Sequence, residues 1–433
     1  MSRRAEMDRP SHILLLTPTY PPMLGGGARY AHALASQLAN QGQRVTVLTT
    51  DVIEEPQLWR RRSNAPSMET TEAGVRVVRC RATGLLGGQR ALMAWRAAMI
   101  LTSALPGDQS RPLMRMSRLV PNVPDIESVL ARLDPPDLIH AFNLSWEWPA
   151  VAGWRWARKH GIPFCLTPFT HLGVGTDDRV ARNNTMDHQR TMMRTAAAVF
   201  ALTDVERRGL NRYGIPRNQI HVIGGGTEPL PAEAISPDEV MAQFKIEPPL
   251  ALYIGRLSPD KGALDAARAA LLMHERGHKI TLGLVGHSTP EIEAFRERLD
   301  KGDRDIIRPL GVVDEATKHA LLEASCMLVL PSRVDSFGIV FLEAWMHRKP
   351  VIGANAGGIP GLVENGRDGL LVEYGDIPAL ADAMERLLSE PNLAASLGEA
   401  GHAKTVSHYT WDAVCQRTLA VYRAALDNSP FSP

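Results

Sequence analysis

Short aliphatic runs, each closed by a turn and followed by a helix-spaced segment, recur along this chain and restrict it to a parallel α/β architecture. The first is HILLLT, residues 12–17, which stops at Pro18. A turn-rich loop, PTYPPMLGGG, follows it. ARYAHALASQLAN then sets Tyr30, Leu34 and Leu38 at helical spacing before Gly42 ends the pattern. RVTVLT, residues 44–49, reads as the next strand. Parallel strands need a crossover, and a helix supplies it, so strand, glycine loop, helix and strand open a parallel sheet. Residues 75–80, 138–141, 164–167 and 198–202 continue as buried strands.

A second cycle of the same kind begins with LALYI, residues 250–254, which leads into GRLSPDKG. Residues 264–275, 291–299 and 316–324 carry helical spacing, and 280–285, 326–330 and 351–353 read as strands. Between the cycles lies a linker-like Pro/Glu/Ala-rich piece, residues 228–237. With 433 residues the chain is too long for one ordinary core. The expected architecture is therefore two doubly wound Rossmann-like domains: 1–235, 236–410 and a C-terminal piece, 411–433. Ligands of such sheets bind at strand C-terminal ends, and the cleft between two such domains is the expected site.

Composition narrows the partners. A formal net charge of +1 gives no reason to expect nucleic acid, and 44% hydrophobic residues is a globular content. Cys80, Cys165, Cys326 and Cys415 are far apart and form no CxxC pair, so they read as small buried hydrophobes in a reducing compartment. Residues 1–12 lack an apolar leader pattern, and no apolar run approaches the length of a membrane span. A cytoplasmic protein is expected.

Four segments carry chemistry. In PSRVDSFGIVFLE, Asp335 and Glu343 stand eight positions apart around a Ser336-Phe337-Gly338-Ile339 turn. On a continuous helix that spacing is roughly 12 Å, with an angular offset of about 80°. Two carboxylates flanking free helix-start amides suit a ligand that is anionic in the middle and hydroxylated at both ends, such as a nucleotide-sugar. GRLSPDKG sets Arg256 at a strand end and Lys261 five residues later, where they either converge on one anion or remain solvated cations. Gly25, Gly26 and Gly27 either let backbone amides approach a phosphate or sugar, or form a plain turn. Their spacing is not G-x-G-x-x-G, which disfavours an NAD-dependent oxidoreductase with Asp51 on the ribose. Gly357-Gly358-Ile359-Pro360 reads as a helix start.

Other polar groups carry less. His171 follows a strand in LTPFTH, where a lone histidine is either structural or catalytic. Asp303-Arg304-Asp305 resembles a metal-binding DxD but sits in a charged stretch expected to be an exposed loop, and Asp177-Asp178 reads as loop surface. No HExxH or cysteine cluster occurs, so no metal site is expected. Residues 84–124 set the apolar run AAMILTSAL among Arg90, Arg96, Arg111, Arg115 and Arg118. This stretch is either an amphipathic basic segment for an anionic membrane or a buried helix followed by a mobile loop.

The residues meet a family in PPMLGGGARYAHALASQLANQGQRVTVLT, LTPFTHLG, YIGRLSPDKG, VLPSRVDSFGIVFLEAWMHRKPVIG and GGIPGLVENGRDGLLVEYGD. With these motifs the chain resembles the retaining glycosyltransferases of family 4, which have the GT-B fold. YTWDAVCQRTLAVYRAAL resembles the family's last helices, which cross back to the N-terminal domain. The resemblance is dense over 250–425 and patchy over 52–136. It implies a hexosyltransferase that uses a nucleotide-sugar co-substrate, UDP-sugar first and GDP-mannose second, with no metal or other cofactor. The acceptor is a hydroxyl. Arg256 and Lys261 match the diphosphate clamp, Glu343 the ribose acid and Asp335 the acid near the transferred sugar. Ser336, Phe337, Gly338 and Ile339 match the donor-facing turn, His171 a histidine near the donor sugar, and Gly25 and Gly26 the covering loop of the N-terminal domain. Three departures stand out: aspartate at 335 where glutamate is usual, Gly361 where glutamate is usual, and Val222–Thr227 in place of Pro-Asn-Gly. A nucleotide-sugar epimerase, a glycosyl phosphorylase and a non-catalytic nucleotide-sugar sensor share this architecture.

Overall fold

The aliphatic runs become strands buried on both faces, as covered parallel sheets require. The computed structural model describes residues 11–23, 25–60, 68–170, 179–231 and 235–427. These fall into two compact units. One lies within Met1–Thr170, Gly175–Gly224 and Val414–Pro433, and the other within Gly225–Ala413.

The first unit is built on eight strands: β1 His12–Leu16, β2 Arg44–Thr50, β3 Met68–Glu72, β4 Val75–Cys80, β5 Leu138–Phe142, β6 Phe164–Thr167, β7 Ala198–Ala201 and β8 Ile220–Val222. Their order is β3-β4-β2-β1-β5-β6-β7-β8. All neighbours are parallel except β3, which pairs antiparallel with β4. The strand β3 is absent from the sequence reading because METTE has no apolar run and lies exposed at the sheet edge. A two-residue turn makes it, with Ala73 and Gly74 both at positive φ (47° and 78°), the geometry of a type I′ hairpin.

The second unit has six strands: β9 Leu250–Ile254, β10 Thr281–Val285, β11 Ile307–Gly311, β12 Met327–Leu330, β13 Val351–Ala354 and β14 Leu370–Val372. They run in the order β11-β10-β9-β12-β13-β14, all parallel. In each sheet the winding reverses once, between β1 and β5 and between β9 and β12. Loops diverge at such a reversal and open a crevice at the strand C-terminal ends. The glycine loop 25–27 follows β1, GRLSPDKG follows β9, and PSRVDSFG follows β12. Three of the four chemistry-bearing segments therefore sit at the two reversals, while Gly357–Pro360 follows β13, one strand further out.

Two local expectations are corrected. Asp303-Arg304-Asp305 is not a loop: it lies in the helix Lys301–Ile306, which Asp300 caps by accepting from the Asp303 amide at 2.9 Å. Gly357–Pro360 starts no α-helix. A single 3₁₀ turn, Ile359–Gly361, forms there, and the chain then turns again as the Asp368 carboxylate accepts from the Glu364 amide at 2.8 Å. The four cysteines are free; Cys80, Cys165 and Cys415 are buried and Cys326 is half-buried.

The helix Trp411–Asp427 supplies the first unit from Val414 onward. Its fully buried Tyr422 hydroxyl meets Nδ1 of His140 in the middle of β5, whose Nε2 lies 2.8 Å from the Thr167 hydroxyl. Burial lowers the His140 imidazole from 6.5 to about 3. Unfolding therefore takes up a proton between those values. The contribution is full above pH 6.5 and is lost as pH falls toward 3. Denaturant titrations of the wild type should show stability dropping with acid across this window, and His140→Gln should show a shallower slope; equal slopes would remove His140 as the cause.

Candidate donor-binding site of the second unit

β9 ends at Ile254, and its chain leaves the sheet through Gly255, exposed Arg256 and a 3₁₀ turn, Pro259–Lys261. Gly262 closes the turn at φ 76°, and a β-carbon there would stand 2.2 Å from the Pro331 carbonyl oxygen. Only glycine satisfies both demands. Beneath the turn the buried Tyr253 hydroxyl donates to the carbonyl of Arg256 at 3.0 Å and lies 3.2 Å from that of Lys261. Burial first, and then the charge of Asp335, push this phenol well above its usual range. It stays a donor that braces both ends of the turn.

The loop after β12 packs against this turn. Lys261 Nζ stands 2.7 Å from Asp335 Oδ1, with the two side chains 22% and 16% exposed. Arg333 Nε lies 3.0 Å from Asp260 Oδ1, and the Arg333 amide donates to the Asp260 carbonyl at 3.1 Å. A third loop closes the group. The Gly358 amide donates to the Asp335 carbonyl at 2.7 Å, and a β-carbon at Gly358 would stand 1.9 Å from the Ser336 carbonyl.

Asp335 is not on the helix, so the two carboxylates do not share the helix face expected from their spacing. The helix runs Ile339–Met346, and Gly338 at φ 90° breaks the regular backbone before it. Phe337 anchors the break, 3% exposed, with its ring edge-on to Tyr409 at 5.6 Å. Glu343 lies in the second turn, 3% exposed, where Lys318 Nζ stands 2.8 Å from its Oε1.

The structure thus brings Arg256, Lys261, Asp335, Ser336, Phe337, Gly338 and Ile339 into adjoining loops of one sheet end, with Glu343 behind them. Gly25 and Gly26 belong to the first unit and follow β1, where neither has an atom within 4 Å of an added β-carbon. His171 lies outside the described residues, as do Asp177 and Asp178. The chain leading to His171 is fixed as far as Thr170, whose amide donates to the buried Glu206 carboxylate at 2.8 Å while the Leu202 amide donates to its other oxygen at 2.7 Å. Burial raises this carboxyl to about 7. Tyr253 and Lys318 were not singled out by sequence: Tyr253 stands in an apolar strand run, and Lys318 in an ordinary helical pattern. Among the described residues, no three His, Cys, Asp or Glu side chains are placed to hold a metal ion.

Comparison with known proteins fits this geometry. Residues 248–390 match the family described as "Glycosyl transferases group 1", and residues 25–226 match the "Glycosyl transferase 4-like domain". The D-inositol 3-phosphate glycosyltransferase of Acidothermus cellulolyticus is 32% identical over 318 residues, 67% of each chain. The chain belongs to the family-4 glycosyltransferases. The alpha-D-kanosaminyltransferase of Streptomyces kanamyceticus is 27% identical over 248 residues, and the match spans 54% of this chain and 62% of that relative. Among solved structures, Anabaena HepE in complex with UDP and glucose aligns at a TM-score of 0.68 with 17% identity, covering 96% of this chain and all of that one. The fold is GT-B.

For this family-4 chain, Gly262→Ala should lose about 2 kcal/mol of stability or more, because it adds both strain and a backbone clash. Thermal or denaturant unfolding checks this; a change within about 0.5 kcal/mol would show that the loops do not meet as described.

Proposed function

We propose that the chain is a retaining, metal-independent hexosyltransferase. It moves a sugar from a nucleoside-diphosphate sugar to a hydroxyl acceptor. The observation that carries the reading is the joining of the two reversal-point loops of the second sheet through Lys261 and Asp335, beside a helix start. A sugar–diphosphate bond breaks when charge gathers on the leaving diphosphate, and that charge needs fixed donors. The Arg256 fork, the Lys261 ammonium and the amides at the start of Ile339–Met346 are such donors. Lysine carries three N–H groups, and Asp335 accepts one of them. Asp335 faces the transferred sugar and Glu343 the ribose.

In a front-face displacement the acceptor oxygen bonds to the anomeric carbon on the side the diphosphate leaves. The acceptor proton passes to a leaving-group oxygen, giving a glycoside and a free nucleoside diphosphate. No protein nucleophile is needed. UDP is the first nucleotide to test, given UDP in the HepE structure, and GDP-mannose the second. The reaction takes place in the cytoplasm.

The acceptor side carries a second reading. In the helix Gly88–Ser103, Leu92 and Met99 pack inward with Leu113, Val120 and Met186. The opposite face exposes Met93 at 57% and Leu101 at 69%, with Leu86 and Leu105 exposed at either end. Large apolar groups exposed together mark a contact surface. In sequence it is fringed by Arg90, Arg111, Arg115 and Arg118, all exposed. Arg96 is not part of that fringe: it turns inward onto the buried Glu147 carboxylate at 2.7 and 2.6 Å. No helix among the described residues is long and apolar enough to cross a membrane. We infer that this face rests on an anionic lipid surface, where a lipid-linked acceptor would be presented.

Two measurements test these readings. A thermal-shift panel of UDP-, GDP- and ADP-sugars, followed by product analysis with and without acceptor, identifies the donor and separates transfer from epimerisation or phosphorolysis. Lys261→Ala should then lose transfer by about 10²-fold or more with the fold intact, and unchanged turnover would sink the clamp assignment. Flotation at low salt should carry the protein with anionic but not neutral liposomes, and Leu101→Asp should weaken it. Absence of co-flotation would count against the membrane reading.

A further inference from the structure

Lys318 lies outside every motif of the donor-binding loops. It sits on the helix Glu315–Ala324 and is only 5% exposed, an uncommon place for lysine. Its Nζ stands 2.8 Å from Glu343 Oε1 and 2.6 Å from Glu315 Oε2. The next residue, His319, sets its Nδ1 2.9 Å from Nε2 of His347. Glu343 and His347 are four positions apart, so they lie on one face of Ile339–Met346 and its C-cap. Two consecutive side chains of one helix therefore clasp two successive turns of the other.

Stability is a poor explanation for the buried pair. Taking two charges out of water commonly costs as much as their attraction returns, and a hydrophobic pair of the same volume does as well. Orientation is a better one. The last torsion of a glutamate is soft and broad, and a carboxylate that must receive ligand hydroxyls has to be held still. The ammonium on Oε1 holds it.

We propose that Lys318 is a positioning residue for the donor nucleotide: it holds the Glu343 carboxylate in the plane that receives the ribose hydroxyls. The proposal rests on the reading of Glu343 as the ribose acid. If it is right, Lys318 acts on the ribose hydroxyls alone and leaves the diphosphate contacts at Arg256 and Lys261 unchanged.

The test is calorimetric titration of the full chain with UDP and with its 2′,3′-dideoxy analogue, or with GDP and its analogue if GDP is the nucleotide bound. The wild type should bind the dideoxy compound about tenfold more weakly or worse. Lys318→Met should shrink that gap to within about twofold, chiefly by weakening the hydroxylated ligand, and Lys318→Arg should restore most of it. A general loss of folding would weaken both ligands alike, so the gap separates positioning from stability. If Lys318→Met cannot be purified folded, Lys318→Gln keeps a donor without the charge and should give an intermediate gap. A wild-type gap that persists in the Met or Gln variant overturns the role of Lys318 while leaving the ribose reading intact. No gap in the wild type overturns the ribose reading, and the Lys318 proposal with it. Binding of no nucleoside diphosphate at all overturns the donor reading itself.

Discussion

Three loops at one end of the second sheet, after β9, β12 and β13, approach one another so closely that no β-carbon fits between them. Gly262 lies against Pro331, Gly358 against Ser336, and Gly357 against the carbonyl of Asp335. This contact of backbone with backbone puts Lys261 next to Asp335 and turns the Ile339–Met346 helix away from the loop. The polar side chains are then short extensions of a rigid frame. A site assembled this way does not depend on long flexible side chains finding each other. That suits a reaction whose barrier falls mainly through charge placed in advance.

How much of this could be read from the residues depends on what kind of signal each part leaves. Buried strands leave aliphatic runs, and most of the strands were legible for that reason. β3 left none, because an exposed edge strand held by a positive-φ turn needs no apolar face. Arg256, Lys261 and Asp335 were legible because cations and acids at strand ends break the pattern around them. The helix start was misplaced because Gly338 interrupts the backbone between two acids that would otherwise share a helix face. Lys318 and Tyr253 were hidden by their settings. A lysine in a helical segment reads as surface, and a tyrosine in a strand reads as core. Only the fold shows that Lys318 is turned inward onto Glu343, or that the hydroxyl of Tyr253 reaches two loop carbonyls. Arg96 is the same lesson in the first unit, a cation read as surface that binds a buried acid.

Both units keep charges in their interiors. Glu147 accepts from Arg96 and lies 3.2 Å from His188 Nε2, with Glu147 and His188 wholly buried. Lys318 and Glu343 form the corresponding pair in the second unit. Such pairs add little net stability, but breaking one leaves a buried charge without compensation. They therefore penalise every arrangement in which the partners are misaligned. Each lies at a helix that must be held to a definite orientation: Glu147 stands just before the helix Trp148–His160, with its carboxylate on Arg96 rather than on the helix amides, and Glu343 lies within the helix after β12.

The last helix has a consequence for how the chain comes into being. Tyr422 is fully buried against His140, yet nearly three hundred residues separate them along the chain. One wall of the first unit's interior therefore comes from a segment made long after its strands. Domains usually fold as they are synthesised, starting with the N-terminal one. Here His140 stays uncovered until the helix that carries Tyr422 has been made. The second unit, drawn mainly from Gly225–Ala413, can close before that helix is made. Closure of the first unit thus follows synthesis of the second.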